Sequence, residues 1–180
     1  MRSSRGMVAL LVGSLVVAGC LGLLVCPAHS AEKPKSYEEV RDRGKAAWDR
    51  MQEAELKPKE GAELRAQALS DFRFALIHAP SGTKVEERNT LRYCLAYLYW
   101  ATDSYYEAAV LGEFLARCYP DQPEAQQGAR IALAAYAKLY GEASKEDDRK
   151  FAGDRVGRIA RLITETWPKG PARHAGSASA

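Results

Sequence analysis

The chain is poor in the side chains on which most catalysis depends. It has three histidines, and two of them, His29 and His174, fall in its end segments. His78 remains, with no His, Cys or acid at metal-ligand spacing from it, and its place just before Pro80 reads as a helix end where a cation or capping donor is favourable. Cys-x-x-Cys, His-Glu-x-x-His and a Gly-rich phosphate loop are all missing, which removes the common redox, zinc and nucleotide signatures. Ser70, Asp71 and His78 supply the residue types of a hydrolytic triad. Ser70 and Asp71, however, are neighbours on a helix and point in different directions. No catalytic residue, metal ligand or cofactor is therefore expected.

A surplus of one charge is missing too. The formal net charge is +3, and setting aside Arg2 and Arg5 leaves 24 basic residues against 23 acidic ones. A nucleic-acid surface needs clustered Lys and Arg without such compensation, so none is expected. Alternating strand patterns flanked by hairpin turns are absent, which leaves no case for a sheet.

Charge is absent altogether from Met7 to Pro27, after a start that holds Arg2 and Arg5. A basic start followed by an apolar run is an export signal, and residues 1–30 are set apart from the fold. Three fates remain open. Ala28-His29-Ser30 offers small residues for cleavage before Ala31. Val17-Ala18-Gly19-Cys20 is similar to a lipobox that would leave Cys20 lipidated, although Leu21 to Val25 stay apolar. Uncut, the run could span a bilayer as an anchor. Each fate places the remainder outside the cytoplasm, because the basic end stays in.

Of four cysteines, Cys20 and Cys26 lie in that segment, and Cys94 and Cys118 remain. Placed on two arms turning near Thr102 and Asp103, they would differ in height by about 10 Å at 1.5 Å per residue. A disulfide needs Cα atoms within about 7 Å, so both read as small buried hydrophobes.

What is present is helical. After a linker at 31–35, Ser36 with Glu38 and Glu39 opens a helix expected to reach about Leu56, with Val40, Ala47, Trp48 and Met51 as its apolar stripe. Pro58 opens a second, ending at Pro80. Further helices are expected over about Lys84–Ala101, Ser104–Tyr119, from Pro123 to about Tyr140, and up to Trp167. Six helices with short turns give three antiparallel pairs over 36–168. The Gly-, Ala- and Ser-rich residues 169–180 are expected to be a disordered tail.

Ala68, Phe72, Ala75 and Pro80 stand at offsets of 0, 4, 7 and 12, and Ala108 and Pro120 repeat the offset of 12. Leu95-Ala96-Tyr97-Leu98-Tyr99 matches a Leu-Gly-x-x-Tyr pattern with Ala for Gly. On these residues the chain resembles the tetratricopeptide (TPR) repeat family, most closely over Asn89–Gln122, with Arg92 where a Trp is common and Gly112 where an aromatic belongs. The prolines closing the pairs are 40 and 48 residues apart, longer than the usual 34-residue period. Tyr119-Pro120 followed by Pro123 and Ala125 is similar to bacterial envelope members, among them outer-membrane assembly lipoproteins and cell-division coordinators.

The resemblance implies an all-α fold, a short solenoid of about three helix pairs. It also implies a non-catalytic adaptor or scaffold that holds a protein or peptide in the periplasm or, if the N-terminal segment is kept, at the membrane facing it. Ala68, Phe72, Ala75, Pro80, Leu95, Ala96, Tyr99, Ala108 and Pro120 would be the packing positions. Tyr93, Tyr97 and Trp100, at offsets 0, 4 and 7, fall on the groove-lining side, where rigid aromatics could grip a partner. The same stripe could equally pack as core against the next helix pair. A self-associating subunit, or an accessory piece of an envelope enzyme complex, is the competing reading.

Overall fold

Local chemistry decides where each segment of this chain winds up and where it stops. The computed structural model describes residues 36–53 and 56–168. The signal or anchor at 1–30, the linker at 31–35, Cys20 and the tail at 169–180 lie outside the described residues.

Helix α1 (Tyr37–Arg50) starts where the Ser36 hydroxyl accepts the Glu39 N–H at 3.1 Å, with Glu38 and Glu39 at the positive end of the helix dipole. Pro58 and Pro123 stand at the first positions of α2 (Pro58–Ile77) and α5 (Pro123–Glu142), where the missing N–H costs nothing. Between them run α3 (Val85–Ala101) and α4 (Tyr105–Cys118), and α6 (Glu146–Thr166) follows α5. No strand occurs among the described residues, and the fold is all-α.

Two expectations about helix ends need correction. Helix α1 stops at Arg50 rather than near Leu56: Gln52 and Glu53 bond to carbonyls three residues back, Asp49 and Arg50. The apolar stripe runs out at Met51, and Lys57, ahead of Pro58, is held extended. Helix α2 ends at Ile77, with His78 as its cap, before it reaches Pro80.

Each helix packs on the next, and α3 also packs on α5. Helix α1 meets α3 as well. Tyr37 and Arg41 both donate to Glu87, at 3.0 and 2.7 Å, and the Trp48 and Tyr97 rings meet edge to face at 5.3 Å. The odd-numbered helices thus lie side by side. The even-numbered ones are separated by grooves floored by α3 and α5.

The core falls into two clusters. Ala47, Ala68, Phe72, Ala75, Leu91, Leu95 and Leu98 form the first, and Ala108, Ala109, Ala132, Ala135, Tyr136 and Ile159 the second. Alanine dominates because the helices approach closely. A Cβ added at Gly112 would sit 2.3 Å from the Gly128 carbonyl oxygen, so α4 and α5 touch backbone to backbone there. Gly112 stands where the family resemblance would put an aromatic, and no larger side chain fits.

Two buried carboxylates lock helices together. Asp71 on α2 accepts both Arg43 Nε and an Arg43 terminal nitrogen, at 2.8 and 2.5 Å. Glu113 on α4 accepts the Tyr136 hydroxyl of α5 at 2.8 Å, Arg117 at 2.6 Å and Arg155 of α6 at 3.2 Å. Burial alone would raise the Glu113 pKa. Hydrogen bonds from Arg117 and Tyr136 and the charge of Arg155 outweigh it, so the carboxyl sits below its usual 4.5.

Candidate functional site

The surface is sorted in an unusual way on α4. Its buried face is built from the small residues Ala108, Ala109, Gly112 and Ala116 together with Leu115 and Glu113, while Tyr106, Val110 and Phe114 face outward. These three stand four residues apart and form one apolar ridge, with Tyr106 58% exposed. A groove runs along each side of the ridge.

On one side, a cavity of about 300 Å³ opens between α2 and α4. Leu95 and Tyr99 of α3 floor it, Leu76 and Ile77 form one wall, and Val110 and Leu111 the other. Its polar groups, Arg73 and Glu107, are few. Ile77 is 74% exposed, a large apolar side chain left in water at the end of its helix.

On the other side, three contiguous cavities follow the length of α4 and α6. The first, about 520 Å³, holds Tyr106, Phe151, Glu142 and Asp148; Tyr106 and Phe151 carry over into the second, about 290 Å³. Arg117 and Arg155 carry over from there into the third, about 310 Å³, where Arg158 and Arg161 join them. The trough is acidic at one end, aromatic in its middle and cationic at the other.

The residues singled out on α3 are split by the fold. Tyr93 is half-buried against the first core cluster, and burial pushes its phenol up. Trp100 is half-buried against the second cluster, its ring 5.2 Å from that of Tyr105. Tyr97, 42% exposed and braced by Trp48, is the member of the three that most faces solvent. Of the packing positions, Ala68, Phe72, Ala75, Leu95, Ala96 and Ala108 are buried, Tyr99 and Pro120 are half-buried, and Pro80 is exposed.

Both cysteines are free thiols; Cys94 is buried, as expected, whereas Cys118 is exposed, which corrects the reading of Cys118 as a buried hydrophobe. Cys118 continues the outward spacing of Tyr106, Val110 and Phe114, and that register carries it to the surface. Burial pushes the Cys94 thiol up to about 12. Asp71 is engaged by Arg43, and the His78 ring lies against Phe74, with ring centroids 4.1 Å apart. Among the described residues no three His, Cys, Asp or Glu side chains gather to hold a metal, and no helix is long and apolar enough to cross a membrane.

Arg92, where the family resemblance would put a Trp, lays its guanidinium over the Phe114 ring at 5.0 Å and the Tyr119 ring at 5.8 Å. The outward ridge on α4 was missed in the sequence. Its signal was there: on one helix, the small residues share one face and the large apolar ones the other.

No family model, no curated protein and no solved structure matches this chain.

Proposed function

We propose that this chain is an exported, non-catalytic scaffold of tetratricopeptide-like construction, a short solenoid of three helix pairs that holds a protein partner in the cell envelope. The observation that carries the reading is the ridge of Tyr106, Val110 and Phe114, exposed between two grooves with Ile77 and Phe151 across from it. Side chains of this size normally lie inside, and a contiguous apolar strip left in water is the mark of a contact surface. Pairwise packing of successive helices, with α3 also on α5, supports the solenoid. The basic start and uncharged run before Pro27 support export.

The gripping surface proposed here lies on the even-numbered helices. Tyr97 and Trp48 offer a smaller aromatic pair on the odd-numbered side. A photo-reactive amino acid placed at Val110 or Ile77, with irradiation of intact cells, tests the idea. A discrete adduct with another protein is expected from both positions and not from exposed Arg130. Equal labelling at all three positions, or none, would refute the scaffold, and an adduct at twice the chain's own mass would identify a second copy as the occupant.

A further inference from the structure

The trough between α4 and α6 has a polarity that defines what it can hold. At its far end Arg117, Arg155, Arg158 and Arg161 surround one cavity; Glu165 lines it with them, and Glu113 is bonded by two of the four. Glu113 is already shared by Arg117 and Arg155, and no ion pair is formed by Arg158 or Arg161 among the described residues. Four guanidiniums against two carboxylates leave an excess of positive charge at a concave site, which focuses the field on whatever enters. The helix dipole accounts for Glu146, Asp147 and Asp148 in the first turn of α6. It does not account for arginines from two helices converging on one cavity.

The opposite end of the trough carries Glu142 and Asp148, and its middle carries Val110, Phe114 and Phe151. From Asp148 to Arg161 is 13 residues of helix, about 20 Å. An extended chain covers that span in about six residues at 3.3 Å each. We infer that the trough receives an extended segment of a partner protein, about six residues long, with carboxylates over Arg158 and Arg161 and apolar side chains along the middle.

Other occupants fit less well. A small inorganic anion would leave the aromatic middle in water. An anionic membrane would meet Glu142 and Asp148 at the other end of the trough and be repelled. The chain's own residues 169–180 contain Lys169 and Arg173 and no acid, so they lack the complementary charge. The inference rests on the scaffold reading and adds the chemistry of the partner to it.

The test is an array of randomised hexapeptides probed with the full chain and with an Arg158→Glu/Arg161→Glu variant. Arg158 and Arg161 are exposed and do not hold Glu113, so the variant keeps the fold, which circular dichroism checks. Retained peptides are expected to carry Asp or Glu at one end beside apolar residues, with glutamine replacements binding about tenfold more weakly. In the variant the preference should turn to Lys or Arg at that end. Binders without an acidic bias, a bias unchanged in the variant, no binders at all, or tighter capture by phosphatidylglycerol vesicles would each overturn the inference. If the Val110 adduct persists in any of those cases, the scaffold reading survives and only the partner chemistry is lost.

Discussion

The Tyr136 hydroxyl donates to the buried Glu113 carboxylate at 2.8 Å, joining α5 to α4 at a point that Arg155 of α6 also reaches. Three helices meet at one charge. A buried carboxylate is tolerable only while its partners remain, and each removal exposes the cost of burying what is left. Tyr136→Phe should therefore lower stability by about 1.5 kcal/mol, the net value of a hydrogen bond to a charged group. Glu113→Gln should cost more, about 2 kcal/mol, since it weakens the charge-assisted bonds from Arg117 and Arg155 while both arginines keep part of their water. In a double-mutant cycle by urea denaturation the two losses should fall short of adding; strict additivity would mean that the contact contributes nothing.

The same carboxyl predicts an acid dependence. Its folded pKa lies below the ordinary 4.5, so the native state favours the ionised form. Its contribution is complete above the unfolded value and is lost as pH falls through the folded one. The stability gap between the native chain and Glu113→Gln should be full at pH 7 and shrink steadily below pH about 4.5. A gap that stays constant down to pH 3 would show that the charge is not what stabilises the junction.

Helix placement was legible because prolines, Ser36 and the alanine spacing act within a few residues of where they stand. Helices α2 to α5 begin and end within a few residues of the places these signals indicate; α1 falls short because its stripe ends at Met51, and α6 begins at Glu146, inside the charged stretch that precedes its apolar residues. The surface was harder to read. Tyr93 and Trp100 look like a continuous stripe with Tyr97, but a helix with neighbours on two sides buries some members of a stripe and not others. Which side of α4 faces out depends on how close α5 comes, and that distance is set by Gly112 meeting Gly128, a pairing across helices that local spacing cannot reveal. The convergence of Arg117 with Arg155, Arg158 and Arg161 depends on the same long-range packing.

The two described thiols should differ sharply in reactivity. Cys118 is exposed, whereas Cys94 is buried with its thiol pushed up to about 12, first by desolvation and then by Glu124. Thiolate is the reactive form, so at pH 8 iodoacetamide should label Cys118 within minutes and leave Cys94 untouched until the chain is unfolded. Peptide mapping by mass spectrometry reads the two sites separately. Comparable labelling of both in the native state would mean that α3 opens readily at its centre.

Two glycines in helix interiors should respond in opposite directions to the same substitution. Alanine is favoured over glycine in a helix by about 1 kcal/mol where nothing opposes the added methyl. Gly157 is exposed on α6 and an added Cβ meets nothing within 4 Å, so Gly157→Ala should raise stability by roughly that amount. At Gly112 the added Cβ meets the Gly128 carbonyl oxygen at 2.3 Å and the Ala132 nitrogen at 3.1 Å, both backbone atoms that cannot rotate away. Helices α4 and α5 would have to part, so Gly112→Ala should cost about 3 kcal/mol despite the better propensity. Because the ridge of Tyr106, Val110 and Phe114 is aimed by that contact, the substitution should also weaken photo-cross-linking from Val110, whereas Gly157→Ala should leave it intact. Thermal melts that rank the two variants the other way would mean that the close approach of α4 and α5 is not what holds the C-terminal half together.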